Sequence, residues 1–298
     1  MGNILILGTF DGVHKGHQAL FENAKRLCVG NDRALAVLFT RHPAELLGKK
    51  VELINTAEEK EIFISEAKIG YSYIDFNESI AKLSPLEYIA LLKEKYHPQA
   101  VVVGRNHTFG RGAKGTAREL IKYAEQFGYK VFLQQGITYN GELISSTRIR
   151  NCIKNGELDH ANAMLGRFFS FCGEVVHGRN VGSKIGFPTA NIVYPWNKVI
   201  PSNGVYCVII HINGVKYAGV MNVGNKPTFG EGLGRTFECF VLGGYQGDAY
   251  GQIVKVEMVK RIRDEMCFEN VDILKKQIAD DVAITISYFK TYYNKVNY

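Results

Sequence analysis

The sequence predicts a two-domain chain: a parallel α/β sheet over residues 1–165, then a small antiparallel β-barrel over residues 166–298 that ends in a helix. Three observations lead there. Strand-length apolar runs alternate with helical patterns from residue 4 to about residue 135. Beyond Gly166 the texture changes to short strands and tight turns. The last segment, 271–293, places Ile273, Leu274, Ile278, Val282, Ile286 and Phe289 at helical spacing.

Ile4 to Leu7 reads as a buried strand that breaks at Gly8. A tight turn follows, and His14 and His17 open a helical pattern that continues through Ala19, Leu20, Ala24 and Leu27. A helix amino terminus carries unpaired N–H groups and partial positive charge, so it suits a phosphate. Two imidazoles three residues apart can donate to oxygens whose charge grows during phosphoryl transfer. Gly8 and Gly12, on either side of Phe10, allow close backbone approach to a ligand. Two solvated histidines, or a two-histidine metal site, are the alternatives.

Arg33–Phe39 is a second strand, ending in the loop Thr40-Arg41-His42-Pro43. Thr56 and Glu59 have capping-box spacing, as do Ser84 and Glu87, and Thr116 and Glu119. Each opens a helix, the second with Pro85 at its first position. Tyr71–Phe76, Ala100–Val103 and Lys130–Gln134 complete the strands, and Gly128 ends the third of those helices. In such sheets ligands bind at the carboxyl ends of the strands. The loops 8–17, 40–43 and 104–112 lie there in sequence and together mark a site. Ser146 and Thr147 read as helix caps with phosphate donors, and Arg150 follows one turn later. An ordinary cap with a solvated arginine is the alternative.

In the second half, Asn213-Gly214 is a hairpin signal, and Ile253–Val259 alternates as a half-buried strand. The stretch 177–191 sets Gly178, Gly182 and Gly186 among basic residues, a pattern able to wrap phosphates. Thr189 and Asn191 face one way on an extended backbone, two hard oxygens suited to Mg²⁺ beside phosphates. A Gly/Pro turn between strands is the alternative. Glu238 alternates onto the face of Phe240 and Leu242, where an apolar setting would raise a carboxylate pKa and suit a general base. The alternative is a strand-end glutamate reaching solvent. Residues 222–229 form a second polar loop able to close over a ligand.

The net charge of +7 suits polyphosphate small molecules or nucleic acid, but no basic run interleaved with aromatics favours nucleic acid. No apolar run is long enough to span a bilayer. Six scattered cysteines without a C-x-x-C pair predict neither a disulfide framework nor structural zinc, and point to the reducing cytoplasm.

On these motifs the chain resembles the prokaryotic bifunctional FAD synthetases, which join an FMN adenylyltransferase of the nucleotidyltransferase type, Rossmann-like, to a riboflavin kinase. The likeness rests on Gly8–His17, Phe39–Pro43, the loop 104–110, Ile144–Arg150, His177–Asn191, Asn222–Phe229, Glu238 and Tyr250-Gly251, and it covers nearly the whole chain. It implies ATP, Mg²⁺, riboflavin, FMN and FAD as substrates, products or cofactor. His14 and His17 would bind the ATP phosphates, with Gly8, Phe10 and Gly12 in the same motif. Ser146, Thr147 and Arg150 would hold the triphosphate, with His42 and Asn106 near FMN. Gly178, Gly182 and Gly186 would lie at the phosphates of the second ATP, Thr189 and Asn191 would hold Mg²⁺, and Glu238 would take the riboflavin hydroxyl proton. His107 stands where the family has an aromatic, and Phe168 where it commonly has proline. The family usually carries a further segment before the first strand, so an amino-terminal edge is expected to be less covered. A paralogue with one active module and a flavin-binding regulator stand as alternatives.

Overall fold

A computed structural model describes residues 2–46, 48, 50–177, 187–225, 234–245, 249–293 and 296–298. The chain divides into two compact units, 1–148 and 149–298.

The first unit is a five-stranded parallel sheet of β1 (Asn3–Leu7), β2 (Arg33–Phe39), β3 (Gly70–Ile74), β4 (Pro98–Gly104) and β5 (Lys130–Gln134), in the order β3-β2-β1-β4-β5. Helices α1 (Lys15–Leu27), α2 (Ala57–Glu66) and α3 (Pro85–Tyr96) lie in the connections. Side chains alternate along each strand, so one sheet feeds two cores. Ile4, Ile6 and Val102 pack with Leu20, Phe21 and Ile64. Leu5, Leu7 and Val101 pack with Tyr88, Ile89 and Leu92. The chain moves outward from β1 to β3, then returns to place β4 on the other side of β1. The carboxyl ends of β1 and β4 therefore flank a topological switch point, where open α/β sheets bind ligands.

The three predicted capping boxes are all formed, at Thr56, Ser84 and Thr116. The third helix is shorter than expected: Tyr123, at φ −97° and ψ 4°, separates Ala117–Lys122 from Ala124–Phe127. The helical tract before residue 166 is likewise two helices, α4 (Ser146–Asn155) and α5 (Leu158–Leu165), parted by Gly156 at φ +78°. The division into units falls ahead of the texture change because α5 is tied to the barrel. Asn162 donates to the Met258 and Val259 carbonyls at 3.1 Å and accepts from the Phe169 amide at 2.7 Å.

The second unit is a closed antiparallel barrel of β6 (Phe169–Val176), β7 (Thr189–Ile192), β8 (Gly204–Ile212), β9 (Val215–Asn225), β10 (Arg235–Val241) and β11 (Ile253–Arg263), ordered β6-β7-β10-β9-β8-β11. Phe171, Tyr206, Met221, Phe237, Cys239 and Val256 are fully buried. On the opposite face Cys207, Ile209, Ala218 and Val259 pack with Phe289 of the long helix α6 (Val271–Tyr292).

Candidate functional sites

In the first unit the turn after β1 is bent beyond what glycine alone explains. Gly12 has φ +86°, but so do Phe10 at +52° and Val13 at +39° lie in the positive region. A β-branched residue there is strained and persists only when its surroundings over-determine it. They do: the Val13 amide donates to the Phe10 carbonyl, the Gln18 amide group donates to the Val13 carbonyl, and both hydrophobic side chains are buried.

The strain delivers His14 to the amino end of α1 as its N-cap. His17 follows one turn later, and the two imidazoles stack at 3.7 Å between centroids, 15° from parallel. Phe10, expected among the ATP-binding residues, has a fully buried side chain and meets His17 edge-on at 5.2 Å. It therefore props the ring, leaving only its backbone in the turn.

Asp11 is buried and anchors the same turn twice. Its Oδ1 accepts the Ile54 and Asn55 amides, just before the cap of α2. Its carbonyl accepts the Ser146 hydroxyl at 2.8 Å. The cap of α4 is Ser145, whose Oγ accepts the Arg148 amide, one position earlier than Ser146. Ser146 instead ties the start of α4 to the histidine turn. Thr147 is exposed in the first turn of that helix, and Arg150 follows on it. Arg148 holds the small hairpin Thr138–Leu143 by donating to the Tyr139 and Glu142 carbonyls at 3.0 Å. The sequence reading missed that hairpin, although Asn140-Gly141 is its usual signal.

His42 follows β2, and its Nδ1 accepts the Ala44 amide, capping the short helix Pro43–Leu46. Asn106 is exposed in the loop after β4. Next to it, His107 stacks on Phe109 at 5.8 Å, and Phe109 packs against Tyr88. Burial pushes the His107 imidazole down to about 4, and its Nε2 has no hydrogen-bond partner among the described residues. Gly8, His14, His17, His42 and Asn106 thus all lie in loops or helix starts beyond the carboxyl ends of β1, β2 and β4.

In the second unit Thr189 and Asn191 lie on one face of β7, as their spacing predicts. Asn191 stands opposite Glu238 of β10, and Glu238 opposite Asn222 of β9. Cross-strand partners share a face, so Glu238 has an asparagine on either side across the sheet, while along its own strand it shares that face with Phe240, as its alternation predicts. Phe240, next on that face, pairs with Thr189 and meets Phe187 edge-on at 5.3 Å. His177 stacks on Tyr250 at 3.7 Å. Gly178, Gly182, Gly186 and residues 226–229 of the second polar loop lie outside the described residues. Among the described residues no cluster of three histidine, cysteine or acidic side chains could hold a metal.

The family model for FAD synthetase matches residues 1–148, and that for riboflavin kinase residues 165–289. Bifunctional riboflavin kinase/FMN adenylyltransferases align along nearly the whole chain. The Bacillus subtilis protein is 35% identical, covering 96% of this chain and 92% of its own length. That of Escherichia coli K12 is 33% identical, covering 97% and 93%. A crystal structure described as a macrolide-efflux protein from Streptococcus pneumoniae superposes with a TM-score of 0.88 at 31% identity, covering 95% of this chain and 94% of that one. Among the described residues of the present chain, no helix is long and apolar enough to cross a membrane. On this identity and coverage, the chain belongs to the bifunctional riboflavin kinase/FMN adenylyltransferase family.

Proposed function

We propose that the chain makes FAD in two ATP-dependent steps, with the kinase in residues 166–298 and the adenylyltransferase in residues 1–165. In the first step the riboflavin 5′-hydroxyl attacks the γ-phosphorus of ATP, and ADP leaves. In the second a phosphate oxygen of FMN attacks the α-phosphorus of a second ATP, and pyrophosphate leaves. Neither step needs a covalent enzyme intermediate, so positioning and electrostatics supply the catalysis.

The observation that carries the two-step reading is the stacked His14–His17 pair at the amino end of α1. Without it the kinase would stand alone. The pair and the helix amino terminus present donors to the phosphates, while Thr147 and Arg150 take the rest of the triphosphate. Ser146 holds this helix against the histidine turn through Asp11. His42 and Asn106 receive FMN, and Gly8 and Gly12 let the backbone approach the phosphates.

In the barrel, Glu238 accepts the proton of the riboflavin hydroxyl. Asn191 and Asn222 flank its carboxylate in register and hold it for the attack. Thr189 and Asn191 are neutral oxygen donors on one strand face. They fit Mg²⁺, which takes few protein ligands and shares its shell with phosphates. Bound there, the ion would offset the phosphate charge. Gly178, Gly182 and Gly186 complete the phosphate loop. The +7 charge serves these polyanionic substrates, nucleic acid is not a partner, and the enzyme works in the cytoplasm.

Chromatography of products from purified protein, ATP and Mg²⁺ with riboflavin, and separately with FMN, tests the reading. FAD from both mixtures is expected. His107, in place of the family's aromatic, favours one second reading, a kinase with a silent amino-terminal unit. That reading requires FMN from riboflavin and no conversion of FMN.

A further inference from the structure

Lys60 stands in the first turns of α2, four residues before Ile64, which is fully buried against the sheet. Residues at that spacing share a helix face, so Lys60 points to the sheet side. Because α2 leads from β2 into the parallel strand β3, the helix starts at the carboxyl edge of the strands. The amides of Ile54 and Asn55, just ahead of the helix, donate to Asp11 in the histidine turn and confirm that placement. Long helical side chains lean toward the amino terminus, which aims the Lys60 ammonium at the same edge.

Asp11 and Glu45 are the charges near it, one from the histidine turn and one from the short helix after His42. Yet among the described residues no carboxylate forms an ion pair with Lys60 within 4.0 Å. Asp11 spends its Oδ1 on backbone amides, and Glu59 is committed to the cap of α2. Burial lowers the ammonium pKa, and the two carboxylates only partly oppose it. A desolvated cation without an ion-pair partner is costly, and at the rim of a phosphate site an incoming anion removes that cost.

We propose that Lys60 is a further substrate-binding residue of the adenylyltransferase, its ammonium taking a phosphate oxygen of ATP or of FMN. The assignment rests on the adenylyltransferase reading of the first unit. Lys60→Met and Lys60→Arg, assayed for FAD formation from FMN and for FMN formation from riboflavin, test it. A charge-assisted hydrogen bond of ordinary strength predicts a loss of about 10- to 100-fold in kcat/KM for FAD formation by Lys60→Met. Lys60→Arg recovers part of it, and riboflavin phosphorylation and the melting temperature hold in both variants. A rise in the KM for ATP assigns the contact to the triphosphate, and a rise in the KM for FMN assigns it to the flavin phosphate. Acylation of Lys60 by an amine reagent, followed by peptide mass spectrometry, slows when that substrate is present.

Wild-type kcat/KM in Lys60→Met overturns the proposal. So does an equal loss in both variants accompanied by a lower melting temperature, which would make Lys60 a structural neighbour of Asp11. Wild-type protein that makes no FAD from FMN overturns the underlying reading and this proposal together.

Discussion

Asn191 and Glu238 stand directly opposite each other across the antiparallel pair β7–β10, with Asn222 on the other side of the glutamate. A register shift of one residue would turn Glu238 to the barrel interior beside Phe237 and Cys239, both buried. Closure of the barrel blocks that slip, because β10 is paired on both edges. The fold thus fixes which face the carboxylate takes and which amides flank it.

Glu238→Gln keeps the shape of the side chain and removes its basicity. Initial rates of FMN formation from riboflavin should fall about 10²- to 10⁴-fold, the usual range for loss of a general base. FAD formation from supplied FMN should be unchanged, since that step uses the other unit. Unchanged riboflavin phosphorylation would remove Glu238 from the chemistry.

His17→Ala should do the reverse. Loss of one preorganised donor to a developing phosphate charge predicts a drop of about 10²- to 10³-fold in FAD formation from FMN. FMN formation from riboflavin should persist. Phe10→Ala, which removes the edge-on prop of His17, should weaken the same activity and also lower the melting temperature.

Asp281 of α6 is almost fully buried and takes Arg263 of β11 through Nε and Nη2, with Gln277 as a further donor. Asp281→Ala leaves a half-buried guanidinium without its partner, and should destabilise the barrel by about 3–5 kcal/mol in urea unfolding. Replacing both partners, as Arg263→Met with Asp281→Leu, should recover much of the loss. Equal destabilisation by the single and double variants would contradict this account of the pair.

His107 predicts a pH dependence. Burial lowers its folded-state pKa from 6.5 to about 4, so the unfolded chain binds this proton more readily. Stability from this group is complete above pH 6.5, declines as the pH falls, and levels off below about 4. His107→Phe removes the titration. The variant should therefore gain on the wild type as urea titrations move from pH 7.5 to pH 4.5, and a pH-independent difference would contradict the burial of a neutral ring.

The parts of this structure that were legible in the sequence are those set by local chemistry. Capping boxes at Thr56, Ser84 and Thr116 placed three helix starts, and the runs Arg33–Phe39 and Lys130–Gln134 appear as strands with those bounds. Asn213-Gly214, both at positive φ, fixes the β8–β9 register and so sets Asn222 opposite Val205. The β9–β10 register has no such marker, because a longer connection joins those strands. The polar flanks of Glu238 were therefore hidden until the barrel closed. Ser146 was misread as a cap for a related reason: its bond to Asp11 spans 135 residues, beyond any local pattern.

The central claim is that two independent sites in one chain act in sequence through released FMN. Mixing the Glu238→Gln and His17→Ala proteins with riboflavin, ATP and Mg²⁺, and following products by chromatography, tests it most directly. The account predicts mainly FMN from His17→Ala alone, only trace flavin product from Glu238→Gln alone, and rapid FAD formation from the mixture. A mixture that stops at FMN, or FAD formed by either variant alone as fast as by the mixture, would contradict it.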